Sequence, residues 1–255
     1  MGEQPVLKLD KIRLGLDLLT SLRQWQPVFS NITLVGVDLF LARNAQGQFS
    51  VAGLSTETEK SAAQTEDTAP CIAWLFSQGQ LSLENSIVTW HDEMSAGRDM
   101  HFSGVNLSLK NEGDRHQLDA FVTLSRDLGK SLNLRVDMRG DPLSAKGRHT
   151  QVYVAGEHVR LAQLFEPQTF GGVDVSIKSA GFEVWGQWKE GVLQHLTGDV
   201  GAGGLSMRSK ADVDSPETSR QTLLLDRLAG YFSWQRTKQG WQFEGDELML
   251  ARESR

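Results

Sequence analysis

A single cysteine, Cys71, stands among the 255 residues. It excludes an internal disulfide and a cysteine-rich zinc site, and it reads as a small apolar side chain. No stretch of about 18 apolar residues occurs, so no segment has the make-up of a membrane-crossing helix. The opening Met1-Gly2-Glu3-Gln4-Pro5 lacks the basic start and apolar core of a secretion signal. Both ends read as cuts in a longer chain. Basic clusters are missing as well. The 26 Lys and Arg residues are scattered against 32 Asp and Glu, for a net charge of -6. That balance excludes a surface that tracks nucleic-acid phosphates and makes a strongly anionic membrane an ill-matched target.

Catalytic patterns are equally scarce. The histidines are His91, His101, His116, His149, His158 and His195, and none falls in an H-E-x-x-H arrangement. His91-Asp92-Glu93 follows Trp90 at a strand end and reads as a polar turn. Arg148-His149 and Glu157-His158 read as exposed loop or strand-edge residues. There is no G-x-S-x-G elbow. The glycine-rich run Gly198 to Gly204 has no Gly-Lys-Ser/Thr ending and reads as a flexible turn, not a phosphate loop. Asp246-Glu247 is a carboxylate pair, but adjacency in sequence does not set two acids across a cleft. The expectation is a non-enzyme with no metal and no cofactor.

What the chain does have is alternation with a period of two, the mark of strands with one buried face. Val6-Leu7-Lys8-Leu9 and Ile12 to Leu16 open the series. Val35, Val37, Leu39 and Leu41 continue it, then Leu118 to Leu124, Leu132 to Met138, Val173 to Ile177, and Leu248 with Leu250. Asn44 to Gly47 and Lys110 to Asp114 supply hairpin turns. Two short helical pieces interrupt the strands. One is Asp17 to Arg23, with Asp17 as N-cap and Leu18, Leu19 and Leu22 at helical spacing; the other is Leu161 to Phe165, closed by Pro167. Each is too short to stand alone and is expected to lean on the sheet. The seven tryptophans include Trp74, Trp90, Trp234 and Trp241 at strand ends, and Trp185 and Trp188 on opposite faces of one strand.

Residues 55–70 carry no large apolar group and read as a mobile polar loop; 211–221 read as a shorter one. The organisation expected is residues 1–54 as opening strands and helix, 55–70 as polar loop, and 71–255 as continuing β structure. The apolar share of 39% suffices for a sizeable core but is low for a compact globule, which an elongated form or long polar loops would explain. A loose repeat recurs: Leu34-Val35-Gly36-Val37-Asp38-Leu39, Phe102-Ser103-Gly104-Val105-Asn106-Leu107, Leu83-Glu84-Asn85-Ser86-Ile87-Val88 and Ile177-Lys178-Ser179-Ala180-Gly181-Phe182. Each is a strand, a small residue, and another strand, the pattern of a bulge or bend.

The ordered series resembles AsmA-like proteins of the YhdP type. The opening Leu7-Lys8-Leu9-Asp10-Lys11-Ile12-Arg13-Leu14-Gly15-Leu16 leads through the short helix to Asn31-Ile32-Thr33-Leu34-Val35-Gly36-Val37-Asp38-Leu39. Gly79 to Trp90, Leu132 to Gly140, Phe182 to Trp188 and Gly240 to Glu244 follow in similar order. The resemblance implies a mainly all-β fold: a long antiparallel, strongly bent sheet forming an open groove, with one or two short helices. It implies a periplasmic segment of a protein anchored in the inner membrane by a helix this chain lacks. It implies work in phospholipid transport and outer-membrane homeostasis, with acyl chains as partners. The charge balance adds the expectation of no nucleic-acid partner, and open edge strands that of self-association of the segment. The candidate apolar face is Val35, Val37, Leu39, Leu107, Leu109, Leu118, Val122, Leu124, Leu134 and Val136. Two other readings stay open: an envelope scaffold with a self-packed β core, and a carbohydrate-binding β-sandwich using its tryptophans.

Overall fold

A computed structural model of the chain describes residues 9–25, 28–45, 49–52, 69–93, 99–164, 168–170, 173–209 and 222–252. Strands dominate. In chain order they are β1 (Lys11–Leu16), β2 (Phe29–Val35), β3 (Asp38–Arg43), β4 (Phe49–Ala52), β5 (Gln80–Asp92), β6 (Asp99–Glu112) and β7 (Arg115–Thr123). Then come β8 (Ser131–Arg139), β9 (His149–Val159), β10 (Gln168–Phe170), β11 (Val173–Lys189), β12 (Val192–Ser209), β13 (Thr222–Thr237) and β14 (Gly240–Ala251). The helices are α1 (Leu18–Gln24), α2 (Ala69–Ser77) and α3 (Leu161–Leu164). Hydrogen-bonded neighbours run β1-β2-β5-β6-β7-β8-β9-β11-β12-β13-β14, an open sheet with β3, β4 and β10 off the main path. The mainly β, open-sheet expectation is met.

Three differences have physical causes. The sheet is mixed, because β5 runs parallel to both β2 and β3, whereas its partner β6 is antiparallel. The chain returns to the start of the sheet before forming β5, so a plain meander is impossible there. Second, α2 covers Ala69 to Ser77, where the sequence reading placed the end of a loop and the start of a strand. Pro70 in its first turn suits a helix start, a signal the alternation search passed over. Third, Gly198 to Gly204 lies inside the 18-residue strand β12, not in a turn. The stretches expected to be loops at 55–68 and 211–221, and the strand expected from Val6, lie outside the described residues.

Local chemistry explains α1. The Thr20 N–H and hydroxyl both donate to the Asp17 carboxylate, at 3.0 and 2.7 Å. Trp25, with φ of 53°, closes the helix in the left-handed conformation, its N–H on Ser21 O. The Val28 N–H donates to Ser21 Oγ at 2.9 Å and ties the helix to the strand that follows.

The chain divides into two compact units, Met1–Thr123 with Asn133–Val152 and Trp188–Val192, and Leu124–Leu132 with Tyr153–Gln187 and Leu193–Arg255. In the first, three left-handed residues lie side by side on neighbouring strands: Gly36 (φ 65°), Asn85 (φ 45°) and Gly104 (φ 62°). The Gly36 N–H donates to Glu84 O at 2.9 Å. The Asn85 N–H donates to Asn106 Oδ1 at 3.1 Å, and the Asn106 amide donates to Gly104 O at 3.0 Å. Register shifts between Leu83 and Ser86 and between Ser103 and Asn106 mark the same line. Aligned bulges make a crease, and three of the four loose repeat units in the sequence are its imprint.

In the second unit, β12, β13 and β14 pair antiparallel. One face stacks Leu196, Trp234 and Phe243, then Ala202, Leu228 and Leu250. Three of its glycines are roofed by neighbouring side chains. A Cβ at Gly198 would sit 2.8 Å from the Phe232 ring, one at Gly156 2.6 Å from Phe182, and one at Gly245 2.6 Å from Leu248. These side chains therefore lie flat on bare backbone, which keeps the apolar layer thin.

Candidate functional site

Register assigns the faces of the first unit, because directly paired residues share a face. One row reads Leu14, Ile32, Leu81, Leu109, Leu118 across β1, β2, β5, β6 and β7. The next reads Ile12, Leu34, Leu83, Leu107, Ala120. Val122 falls on the same side as Leu118 and Ala120 by alternation. On β8, Arg135 pairs with Asp119 at 3.3 Å and Asp137 pairs with Arg115, so Leu134 and Val136 point the other way, with the leucines. Beyond the crease, Leu39, Val88 and Phe102 form one row, and Leu41, Trp90 and Met100 another.

The opposite face is ionic. Arg13 holds both oxygens of Glu84 at 3.0 and 2.9 Å, and Lys110 meets Glu112 at 2.6 Å. Asp137 is held below the usual carboxylate range chiefly by its hydrogen bond from Arg115. The first unit thus has one greasy and one charged surface. Among the described residues, few side chains on the greasy one are fully covered. Leu109 and Ile32 are nearly buried, Leu34, Leu81, Leu83, Leu107, Leu118, Val122, Leu134 and Val136 are only half-buried, and Ile12 and Leu14 on β1 are about half exposed (50% and 52%). Burying a Leu or Ile side chain is worth about 1.5–3 kcal/mol, so a row left partly open is a standing cost that an apolar ligand can reduce.

The ten candidate residues distribute unevenly. Val37 and Leu39 are buried at the crease, where the Val37 N–H donates to Ser86 Oγ at 3.3 Å. Leu107, Leu109, Leu118, Val122, Leu134 and Val136 share the greasy face. Val35 does not: it is in register with Lys11 and Glu84, on the ionic face. The left-handed Gly36 inverts the phase between Val35 and Val37, so their even spacing in sequence is misleading. Leu124 belongs to the second unit, buried where a Cβ on Gly129 would lie 3.1 Å from it.

Each end of the greasy face carries a polar arrangement. At one, Arg43 donates from Nε to Asp92 Oδ1 at 2.9 Å, and its guanidinium lies 6.0 Å from the Trp90 ring. At the other, α2 docks over His116. The Asn111 amide donates to Leu75 O (3.1 Å) and Gln78 O (2.7 Å) of the helix end. Its oxygen must then accept from His116 Nδ1 at 2.8 Å, which sets the tautomer. Phe76 meets the imidazole edge-on at 4.8 Å, beside a cavity of about 450 Å³ that Asp114, Asp141 and Leu143 also line. Burial pushes the His116 imidazole below its ordinary value, against the opposing pull of Asp114 and Asp141. The other histidines noted in the sequence lie apart: His91 Nδ1 is 2.6 Å from Asp99, and His101 bonds Thr89 at 3.0 Å. Among the described residues, no group of three or more His, Cys, Asp or Glu side chains could hold a metal ion.

A family model described as YhdP protein matches residues 1–255. The chain belongs to the YhdP family. No curated protein and no solved structure matches it. Membership supports, in broad terms, a role related to lipid transport in the cell envelope. No described helix is long and apolar enough to cross a membrane. In this YhdP chain the sequence reading missed one apolar group. Leu18, Leu19 and Leu22 are expected to press on the sheet, yet they are 73%, 84% and 67% exposed, and Trp25 beside them is 88% exposed. Their spacing on one helical face was visible in the sequence, but not the direction in which that face points.

Proposed function

We propose that this chain holds phospholipid acyl chains on the greasy face of its first unit and shields them from water. In this reading the chain works in the periplasm, in a protein held at the inner membrane, and catalyses no reaction. The observation that supports it is the pair of unbroken apolar rows from Leu14 to Leu118 and from Ile12 to Ala120, set against a reverse face that is mostly polar and carries ion pairs. A self-packed scaffold needs a second layer over those rows. The partial exposure of most of these side chains, reaching about half at Ile12 and Leu14, favours a soft occupant instead. Acyl chains suit such a surface because apolar area alone, at roughly 25 cal/mol per Å², supplies the binding, and no precise polar contact is required.

Native mass spectrometry of the chain purified gently from bacterial membranes, followed by organic extraction, tests this. Phospholipid is expected at one or more molecules per chain, and Leu107→Asp or Leu118→Asp should abolish it. A folded wild-type chain that never carries lipid would point to the scaffold and overturn the proposal.

A further inference from the structure

Among the described residues of the first unit, the most exposed apolar side chains lie not on the sheet but at its corner. Ile12, Leu14 and Leu16 of β1 are each about half exposed (50%, 52% and 51%), and they run directly into Leu18, Leu19, Leu22 and Trp25. Soluble monomers seldom show contiguous apolar patches beyond a few hundred Å², and here seven large side chains fall within 14 residues of chain.

The way α1 is built makes this more than loose packing. A helix of seven residues has no stability of its own. Most such helices are fixed by burying their leucines. This one is fixed by polar contacts: the Asp17 carboxylate on Thr20, the Ser21 N–H on Asp17 O at 2.9 Å, and the Val28 N–H on Ser21 Oγ. The leucines are thereby held outward. Arg23 in the last turn and the nearly free ring of Trp25 sit at one end of the row, the pairing found where protein meets lipid headgroups.

We infer that the β1–α1 corner rests on the surface of a lipid bilayer and is the mouth through which acyl chains reach the greasy face. The inference deepens the lipid-holding proposal and rests on it for the second half of that statement. Continuity decides the occupant. Leu14 and Ile12 belong at once to the corner and to the two apolar rows, paired with Ile32 and Leu34. Among the described residues of β1, a chain sliding from the corner onto the sheet would cross no charged side chain, because Lys11 and Arg13 point to the other face. A partner protein would need no such path.

The test is flotation of the 1–255 chain with phosphatidylcholine vesicles, compared with a Leu19→Ser/Leu22→Ser variant. Both leucines are exposed, so folding should be unchanged, which circular dichroism checks. The variant should float several-fold less and extract fluorescent phospholipid from vesicles more slowly. It should still hold phospholipid supplied from diluted detergent. Equal flotation of variant and wild type would overturn the inference. So would a vesicle-free wild type that sediments as a dimer while the variant is monomeric, since the corner would then be an interface between copies. Leu107→Asp separates the two proposals: a chain that floats normally but holds no lipid keeps both. If even wild type holds no lipid while its flotation still depends on Leu19 and Leu22, the bilayer contact stands and the holding proposal falls.

Discussion

His116 shows how much one residue can reveal. It is 6% exposed, neutral, and donates through Nδ1 to the Asn111 side chain that pins the end of α2. Burial lowers its affinity for protons below that of the unfolded chain, so the unfolded state binds the extra proton first. Stability should therefore fall as pH drops below the ordinary histidine value of about 6.5, with a slope of at most one proton, about 1.4 kcal/mol per pH unit. Asp137 acts in the same direction but lower, below its ordinary carboxylate value, where its bond from Arg115 is lost. The two windows separate the two causes. Thermal unfolding measured from pH 7.5 to 5 should show the slope in wild type and a flatter profile in His116→Gln, which keeps an N–H donor for Asn111. Equal slopes would mean that α2 does not depend on the charge state of this imidazole.

At the scale of elements, the strands were legible and their phase was not. Alternation along β7 and β8 located them because successive side chains there turn to the leucines and to the largely polar face in turn. The short helix at Asp17 was legible for a chemical reason, the carboxylate three residues before Thr20. Phase was lost wherever a residue turns left-handed within a strand. Gly36 does so by lacking a Cβ, but Asn85 does so with a side chain, and nothing in alternation marks it. Val35 was consequently grouped with Val37, although the two lie on opposite faces. This assignment has a direct check. Leu34→Asp puts a charge among Ile12, Leu83 and Leu107 and should cost about 2–4 kcal/mol, comparable with other losses from burying an unpaired charge or deleting a core leucine. Val35→Asp, one residue away, lands between Lys11 and Glu84, whose opposite charges largely offset, and should cost under about 1 kcal/mol. Equal losses in urea unfolding of the two variants would mean that Val35 does not face away from Ile32 and Leu34 of β2.

For the molecule as a whole, the division between faces decides what kind of binding to expect. A headgroup site built from scattered basic residues would weaken as salt rises, because exposed charge pairs are screened within about 8 Å at physiological ionic strength. The surface described here has its charges on the far side, tied into pairs such as Arg13 with Glu84 and Arg135 with Asp119. Binding to it should draw on apolar area, and salts that strengthen burial should not oppose it. A fluorescent fatty acid is therefore expected to bind with nearly the same affinity in 0.1 M and in about 1 M sodium chloride, and to lose most of that affinity in Leu109→Asp. A tenfold loss with salt alone, about 1.4 kcal/mol, would shift the explanation to the ionic face. The sequence offered no motif for such a site, and the physics explains why. A surface that recognises length and greasiness needs leucine, isoleucine and valine at alternate positions, and those are also the residues of any β core. What separates the two is whether something covers the face, a fact that belongs to the assembled sheet and not to any one strand.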